Sequence, residues 1–411
     1  MIYRIVRPKE IIESTIRLPS SKSISNRLLI MAALSNSKLK IKGLSDSDDT
    51  LTMINNLNSG EKSKNVGHAG TAMRFLTSYY AFMPGEVILT GSERMKNRPI
   101  GELVDNLKKL GADIEYLGKK DYPPLLIKGG NLKGGILSVD GGISSQFISS
   151  LLLIAPMLPK GLEIRLTGNI ISASYINLTL QLMKRAGIKY NWKKNLIKVE
   201  EGIYQGGTMT VEPDWSAASY WYEICSLVDK SEINLPGLTS ESLQGDAALI
   251  EIFGNLGVKT EFEENGIRLI KSSHNTTFFE YDFSLNPDLV QSLVPTCVLL
   301  GIPFRFTGTQ TLRIKETDRI LALHNEMKKF GVSIDFPESG EWISWSKKSK
   351  FKPNNKIIIE TYKDHRMAMA FAPIALKTQE INISDPMVIT KSYPLFWENL
   401  LSAGFTITEI P

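Results

Sequence analysis

The sequence contains little cysteine: only Cys225 and Cys297 among 411 residues. Two cysteines cannot form a disulfide framework, and both lie in apolar stretches, which indicates small buried residues in a reducing compartment. The longest apolar runs, near 151–158 and 293–304, are too short to span a bilayer and contain proline, and the first residues lack the apolar core of a signal peptide. We therefore expect a cytoplasmic protein without a membrane segment.

Several enzyme motifs are also missing from the sequence. The four histidines, at positions 68, 274, 324 and 365, lack metal-ligand spacing, and no Cys-x-x-Cys, P-loop or G-x-S-x-G motif occurs. These absences argue against a zinc enzyme, a P-loop NTPase and an α/β-hydrolase. Lysine and arginine form no run longer than a pair, so small phosphorylated or carboxylated ligands are favoured over nucleic acid.

The composition is that of a globular protein, with 42% apolar and 22% charged residues. The net charge of +5 is unevenly distributed, because residues 1–214 hold 29 Lys/Arg against 19 Asp/Glu and residues 215–411 hold 19 against 24. A basic half indicates anionic ligands, although a solvated basic surface is an open alternative.

An internal repeat predicts the fold class. Five segments consist of an amphipathic helix, a glycine and an alternating strand, and their glycines are Gly111, Gly187, Gly257, Gly331 and Gly404. A glycine after the last helical residue adopts a left-handed conformation cheaply. The spacings of 70–76 residues, with a degenerate sixth copy near Asn58-Ser59-Gly60, predict an α/β protein of six modules in two sets of three.

Polar and charged residues cluster where helices are expected to begin. Helix N-terminal amides together with Lys and Arg form an anion site, whereas any single cluster is also explained by an ordinary cap or by solvated ion pairs. Thr71, for example, is expected to cap its helix. The clusters are Ser20-Ser21-Lys22-Ser23 with Arg27, Gly70-Thr71 with Arg74, Arg94 to Arg98, Ser144-Ser145-Gln146, Ser172-Ala173-Ser174, Asn286-Pro287-Asp288, Lys315 to Arg319, Asp364-His365-Arg366 and Lys391.

Together these segments resemble the 5-enolpyruvylshikimate-3-phosphate (EPSP) synthase family, the enolpyruvyl transferases of the shikimate pathway. The resemblance extends from Leu18 to about Asn399, with the motifs in the family's order. The strongest matches are Ser21-Lys22-Ser23 through Arg27, Ala69 to Arg74, Asn97-Arg98-Pro99-Ile100-Gly101, Ser144-Ser145-Gln146-Phe147, Lys315-Glu316-Thr317-Asp318-Arg319 and Asp364 to Met369.

The resemblance implies two similar domains, each of three α/β units with mixed sheets around buried helices, an inside-out α/β barrel. The expected domains are residues 19–214 and residues 1–18 with 215–411, with a ligand cleft between them that closes on substrate. A monomer is expected, with phosphoenolpyruvate and shikimate 3-phosphate as its partners and with no nucleic acid and no membrane.

The implied reaction adds the 5-hydroxyl of shikimate 3-phosphate to C2 of phosphoenolpyruvate while C3 is protonated. The tetrahedral intermediate then loses phosphate and the C3 proton, and no metal or organic cofactor takes part. Both substrates are anionic, and two unit charges 4 Å apart repel by about 4 kcal/mol at an effective dielectric of 20. The motifs supply eight cations to offset this repulsion: Lys22, Arg27, Arg74, Arg98, Lys315, Arg319, Arg366 and Lys391.

The resemblance also assigns roles residue by residue. Shikimate 3-phosphate is expected to contact Lys22, Ser23, Arg27, Ser144, Ser145, Gln146, Ser172, Asp288, Thr311 and Lys315. Phosphoenolpyruvate is expected to contact Lys22, Gly70, Arg98, Gln146, Arg319, Arg366 and Lys391. Asp288 matches the acid/base partner of the 5-hydroxyl, Glu316 matches the carboxyl that exchanges a proton with C3, and Lys22 is an alternative proton carrier.

Three positions depart from the family pattern. His68 replaces an asparagine, Ser20 replaces a glycine, and Thr311-Leu312 replaces an Asn-Trp pair. Glycine at position 70 is the residue associated in the family with sensitivity to glyphosate. The resemblance therefore implies that glyphosate inhibits this protein.

Two other functions stay open on the sequence. One is the sister transferase that acts on UDP-N-acetylglucosamine, although its first motif reads Lys-Asn where this chain has Lys22-Ser23. The other is a non-catalytic anion- or RNA-binding protein of the same fold, which leaves Asp288 and Glu316 without a role.

Overall fold

The computed structural model describes residues 1–9, 11–142, 144–354 and 356–410. The chain divides into two compact units. Unit 1 comprises Met1–Pro19 and Pro213–Pro411, and unit 2 comprises Ser20–Glu212. The chain thus begins in unit 1, forms all of unit 2 and returns to unit 1.

Unit 1 begins with strands β1 (Ile2–Val6) and β2 (Ile12–Thr15). The strands of unit 2 are β3 (Leu39–Lys42), β4 (Ser63–Asn65), β5 (Gly85–Thr90), β6 (Asp113–Tyr116), β7 (Leu125–Gly129), β8 (Gly135–Asp140), β9 (Leu162–Thr167), β10 (Tyr190–Lys193), β11 (Leu196–Val199) and β12 (Gly207–Thr210). Its helices are α1 (Lys22–Leu34), α2 (Asp48–Asn58), α3 (Gly70–Phe82), α4 (Glu93–Lys96), α5 (Gly101–Lys109), α6 (Ser145–Ile154) and α7 (Ala173–Arg185).

The strands of unit 2 form three sheets, with the orders β4-β5-β7-β6, β10-β11-β9-β8 and β12-β3. The two larger sheets are mixed, because β4 and β5 pair in parallel, as do β8 and β9, and the other pairs are antiparallel. Helices α1, α3 and α6 are largely buried. Each has apolar residues on most of its circumference, as expected of a helix packed on several sides.

The remaining strands of unit 1 are β13 (Ser231–Pro236), β14 (Val258–Glu263), β15 (Gly266–Lys271), β16 (Phe279–Asp282), β17 (Phe304–Thr307), β18 (Trp342–Trp345), β19 (Ile358–Ile359), β20 (Glu380–Ser384) and β21 (Thr406–Ile410). Its helices are α8 (Trp215–Leu227), α9 (Leu249–Gly254), α10 (Val290–Leu300), α11 (Arg319–Lys328), α12 (His365–Phe371), α13 (Ala375–Thr378) and α14 (Phe396–Ser402).

Unit 1 repeats the plan of unit 2. Its mixed sheets have the orders β14-β15-β13-β2, β16-β17-β18 and β19-β20-β1-β21, and helices α8, α10 and α12 are largely buried. The predicted α/β class, with mixed sheets around buried helices in two similar units, is confirmed; within the described residues each unit contains three sheets. In the part of the chain that is described, no helix has the length and apolar content needed to cross a membrane.

The five repeat glycines all lie in the left-handed region, with φ between +78° and +101°. A side chain there is strained, which explains why glycine recurs. The degenerate copy has its helix end at Asn58 and a following strand at Ser63–Asn65, although Gly60 itself does not have a positive φ. One detail of the predicted repeat is wrong: an isolated bridge between Asp335 and Ser344 replaces the strand expected after Gly331.

Candidate active site

In unit 2, the first predicted cluster lies on the opening turns of α1. Lys22 is the first helical residue, and its Nζ lies 3.3 Å from Asp49 Oδ2 at the start of α2. The Ser23 carbonyl accepts a hydrogen bond of 2.8 Å from Arg27 Nη1. The cluster therefore lies at a helix N-terminus, where amide groups and the helix dipole favour anions.

Arg27 is buried and bound to neutral acceptors on three elements. Besides the Ser23 carbonyl, it donates to Thr179 Oγ1 at 2.7 Å, to Ser149 Oγ at 3.3 Å and to the Tyr175 carbonyl at 3.2 Å. Burial lowers the pKa of Arg27 to about 10, so the group stays protonated at neutral pH. No carboxylate among the described residues forms an ion pair with it. Arg27 is therefore a buried positive charge that no carboxylate of the described ranges neutralises through an ion pair.

Gly70 and Arg98 are in direct contact at the N-terminus of α3. A Cβ added at Gly70 would lie 2.5 Å from Arg98 Nη1 and 3.1 Å from its Cζ. Arg98 Nε is buried and has no hydrogen-bond partner among the described residues. An unpartnered buried donor of a cation is costly unless a ligand accepts from it. This arrangement favours a small anion bound at Arg98.

Two further predicted clusters of unit 2 lie at the N-termini of α6 and α7. Ser144 caps α6 by accepting from the Gln146 amide at 3.3 Å, and Gln146 Nε2 donates to Thr71 Oγ1 at 3.2 Å. The sequence predicted that Thr71 caps α3, and this is wrong because the helix already begins at Gly70. The Thr71 hydroxyl instead links α3 to α6 by accepting the hydrogen bond from Gln146. Ser145 and Ser172 are buried, and Ser172 precedes α7 with φ +58°.

In unit 1, Arg319 joins three carboxylates. Its Nε lies 2.7 Å from Asp364 Oδ2, its Nη1 lies 2.9 Å from Asp288 Oδ1, and its Nη2 lies 2.9 Å from Glu316 Oε2. Burial alone would lower the pKa of Arg319, but the carboxylates of Asp364, Glu316 and Asp288 outweigh it and raise that pKa above its ordinary value. A substrate anion at Arg319 would share the guanidinium with these acids.

Asp288 shows the reverse arrangement to Arg319, because one carboxylate is surrounded by three cations. Besides Arg319, Lys315 Nζ lies 3.6 Å from Asp288 Oδ1 and Arg366 Nη2 lies 3.2 Å from Asp288 Oδ2. The cations stabilise its negative charge. With Glu316 on the same arginine, the site holds two carboxyl groups suited to proton transfer.

The other predicted residues of unit 1 lie around this cluster or near it. Lys391 Nζ donates to the Lys363 carbonyl at 3.2 Å, just before Asp364. Thr311 Oγ1 is buried and lacks a hydrogen-bond partner among the described residues, which leaves its hydroxyl able to bind a ligand.

Three contributors to the site were not assigned a role from the sequence. Asp364 pairs with Arg319, and Tyr220 OH accepts from Arg366 Nη1 at 3.5 Å. Asp246 is buried and accepts a short hydrogen bond from Ser216; burial, then Asp288, raise its pKa to about 6. Only Asp364 carried a sequence signal, because it stands beside His365 and Arg366 in a quoted motif.

Comparison with known proteins decides the family. The EPSP synthase family profile (3-phosphoshikimate 1-carboxyvinyltransferase) matches residues 6–59 and 54–400. A protein of Bacteroides fragilis named 3-phosphoshikimate 1-carboxyvinyltransferase is 48% identical over 408 residues, which cover 99% of each chain. The chain belongs to the EPSP synthase family.

More distant relatives agree with this membership. An EPSP-synthase relative with the same name from Haemophilus influenzae is 35% identical over 422 aligned positions, covering 95% of this chain and 96% of its own. The solved structure of EPSP synthase from Acinetobacter baumannii covers 100% of both chains with a TM-score of 0.77 at 21% identity, which shows a shared fold. The predicted resemblance to EPSP synthases is confirmed, and the comparisons support it rather than either alternative.

Proposed function

We propose that this chain transfers the enolpyruvyl group of phosphoenolpyruvate to the 5-hydroxyl of shikimate 3-phosphate and releases phosphate. Membership of the family makes this the expected reaction. The observation that carries it in the structure is that two cations, Arg27 and Arg98, have no carboxylate partner among the described residues. Such cations bind multiply charged anions strongly, because no internal ion pair has to be broken first.

The residue assignments are proposals of the same kind. Shikimate 3-phosphate is assigned Lys22, Ser23, Arg27, Ser144, Ser145, Gln146, Ser172, Asp288, Thr311 and Lys315. Phosphoenolpyruvate is assigned Lys22, Gly70, Arg98, Gln146, Arg319, Arg366 and Lys391. Charge balance supports this division, since the negatively charged substrates meet cations in both sets.

The proposed mechanism uses the two carboxyl groups in turn. Asp288 accepts the proton of the 5-hydroxyl as its oxygen bonds to C2 of phosphoenolpyruvate, and Glu316 gives a proton to C3. The C2–O bond to phosphate then breaks, the departing phosphate receives the proton that Asp288 had accepted, and Glu316 takes the proton back from C3. Arg319 contacts both acids, so their charges are coupled through one guanidinium. Lys22 is the alternative proton carrier for C3.

Phosphate release with different acceptors tests the proposal. We expect release from phosphoenolpyruvate to depend on shikimate 3-phosphate and to be absent with UDP-N-acetylglucosamine or with no acceptor. Release that depends on the sugar nucleotide would assign the chain to the sister transferase, and binding without release would indicate a non-catalytic protein.

We also propose that the protein acts as a cytoplasmic monomer and that glyphosate competes with phosphoenolpyruvate. The absence of a side chain at Gly70 supports the second point, because a Cβ there would lie 2.5 Å from Arg98 Nη1 and would displace the guanidinium assigned to phosphoenolpyruvate. Light scattering at micromolar concentration tests the monomer, and inhibition kinetics against both substrates test the competition.

A further inference from the structure

The two residues before the Asp364 motif have strained backbone conformations. Tyr362 and Lys363 follow each other with φ +52° and φ +56°, although neither is glycine or asparagine. Left-handed conformations of such residues are unfavourable and persist only where the surrounding structure imposes them. Contacts from outside the turn must therefore stabilise these two backbone conformations.

This turn carries acceptors for two cations and the N-terminal cap of α12. The Lys363 carbonyl accepts from Lys391 Nζ at 3.2 Å. Asp364 binds Arg319 Nε at 2.7 Å and caps α12 by accepting from the backbone amide of Arg366 at 2.9 Å. A shift of the turn would move the partners of Lys391 and Arg319 and the backbone from which the Arg366 side chain extends.

A buried carboxylate on α11 makes the contact that stabilises the turn. Tyr362 OH donates to Glu326 Oε1 at 2.7 Å. Glu326 has a fully buried side chain, and its Oε2 accepts from Lys329 Nζ at 2.6 Å and from the Glu360 amide at 3.0 Å. Burial first, and then the contact with Glu326, raise the pKa of Tyr362 to about 12, so the hydroxyl remains a donor. Glu326 thus fixes the turn on the helix that begins with Arg319.

We propose that Tyr362, held by Glu326, is a positioning residue that imposes the strained turn and thereby places Arg319, Arg366 and Lys391 for phosphoenolpyruvate. The inference rests on the proposed function, which assigns those cations to that substrate. The hydroxyl of Tyr362 acts through the turn and does not itself touch the substrate.

Two substitutions at Lys363 test the backbone conformation separately from side-chain chemistry. The Lys363 side chain is exposed, and Lys363→Gly and Lys363→Val both remove its charge. Glycine adopts φ +56° freely, whereas a β-branched residue strongly resists it. We expect the KM for phosphoenolpyruvate to be at least tenfold higher in the valine variant than in the glycine variant. Equal KM values would overturn the proposal.

Tyr362→Phe tests the hydroxyl, and Tyr222→Phe is its matched control. Tyr222 is buried in unit 1 whereas Tyr362 is half-buried, and the Tyr222 hydroxyl bonds to Thr260 Oγ1 at 2.9 Å, with no hydrogen bond to the turn among the described residues. For Tyr362→Phe we expect a KM for phosphoenolpyruvate raised about tenfold and a KM for shikimate 3-phosphate changed by less than about threefold. Amide hydrogen exchange at 363–366 should also accelerate.

The control separates positioning from a general loss of stability. Tyr222→Phe is expected to change neither KM by more than about threefold and to leave exchange at 363–366 unaltered. If Tyr362→Phe behaves like this control, or raises both KM values equally, the proposal is wrong. If the unsubstituted protein releases no phosphate with both substrates, the proposed function fails instead, and hydrogen exchange still decides whether Tyr362 holds the turn.

Discussion

The guanidinium of Arg98 occupies the space that a side chain at Gly70 would fill, since an added Cβ would lie 2.5 Å from Arg98 Nη1. Glycine is required there by close approach and not by its backbone angles, because Gly70 has no positive φ. The contact places a cation at the start of α3, and the buried Nε of this cation has no hydrogen-bond partner in the part of the chain that the structure describes. A substitution that displaces this guanidinium should therefore change the affinity for anions at the N-terminus of α3.

Gly70→Ala should weaken phosphoenolpyruvate binding by displacing Arg98. Because the far end of a flexible side chain yields easily, the fold should persist while the KM for phosphoenolpyruvate rises at least tenfold. Gly254→Ala is the control, since a Cβ at Gly254, at the end of α9, meets no atom within 4 Å. In an Arg98→Ala background the effect of Gly70→Ala should largely vanish. An undiminished effect in that background would show that Arg98 is not the cause.

Arg98→Ala should lower the affinity for phosphoenolpyruvate by about 2–4 kcal/mol, because a charge-assisted contact in a partly buried site is lost. Calorimetry in the presence of shikimate 3-phosphate measures this change. Arg165→Ala removes an exposed arginine that pairs with Glu163, and it should leave the affinity within about 0.5 kcal/mol. Equal affinities for the Arg98 variant and the unsubstituted protein would remove Arg98 from the binding site.

Asp288→Asn should separate chemistry from binding. The variant leaves Lys315, Arg319 and Arg366 in place and removes the negative charge they share, so substrate anions should bind at least as well. Loss of the proton acceptor should lower kcat by about 10²- to 10⁴-fold. Steady-state kinetics with both substrates check this, and a kcat within threefold of the unsubstituted enzyme would exclude Asp288 as the acid/base group.

Because Glu223 is buried, the free energy of unfolding of the protein should fall as the pH rises. Its carboxyl is fully buried in α8, neither oxygen has a hydrogen-bond partner among the described residues, and burial raises its pKa well above 4.5. The stability that the protonated group contributes is complete below the unfolded-state value near 4.5 and is lost as the pH rises through the folded-state value. Glu223→Gln lacks this loss, so its stability relative to the unsubstituted protein should grow by about 1.4 kcal/mol per pH unit from about pH 4.5 up to the folded-state value and stay constant above it.

Urea unfolding of both proteins between pH 4 and pH 8 measures this difference. Glu338→Gln replaces an exposed glutamate and should shift stability by less than about 0.5 kcal/mol at every pH. A pH-independent difference between Glu223→Gln and the unsubstituted protein would show that the buried carboxyl does not titrate on unfolding.

The repeat could be predicted from the sequence because its signal is local. Gly111 and its four equivalents each follow a helix, and a helix end selects the one residue that adopts a positive φ without strain. Gly331 shows the limit of this reasoning, since its helix ends as predicted but its strand reduces to the bridge of Asp335 with Ser344. Strand formation depends on a partner from elsewhere in the chain.

The pairing of charges could not be predicted in the same way. The sequence placed Asp288 in one cluster and Glu316 and Arg319 in another, and it identified Asp364 only as part of a third motif. Arg319 joins three of these segments across 76 positions of the chain, and only the packing of α10, α11 and α12 brings them together. The Arg98–Gly70 contact depends likewise on the turn after α4, which a pattern of residue types does not specify.

Phosphorus NMR of the purified protein with both substrates follows the proposed transfer itself. We expect one inorganic phosphate for each phosphoenolpyruvate consumed, an equal amount of a new enolpyruvyl ether of shikimate that keeps its 3-phosphate, and no change when either substrate is left out. Phosphate appearing without shikimate 3-phosphate, loss of the 3-phosphate itself, or two unchanged substrates with folded protein would contradict it.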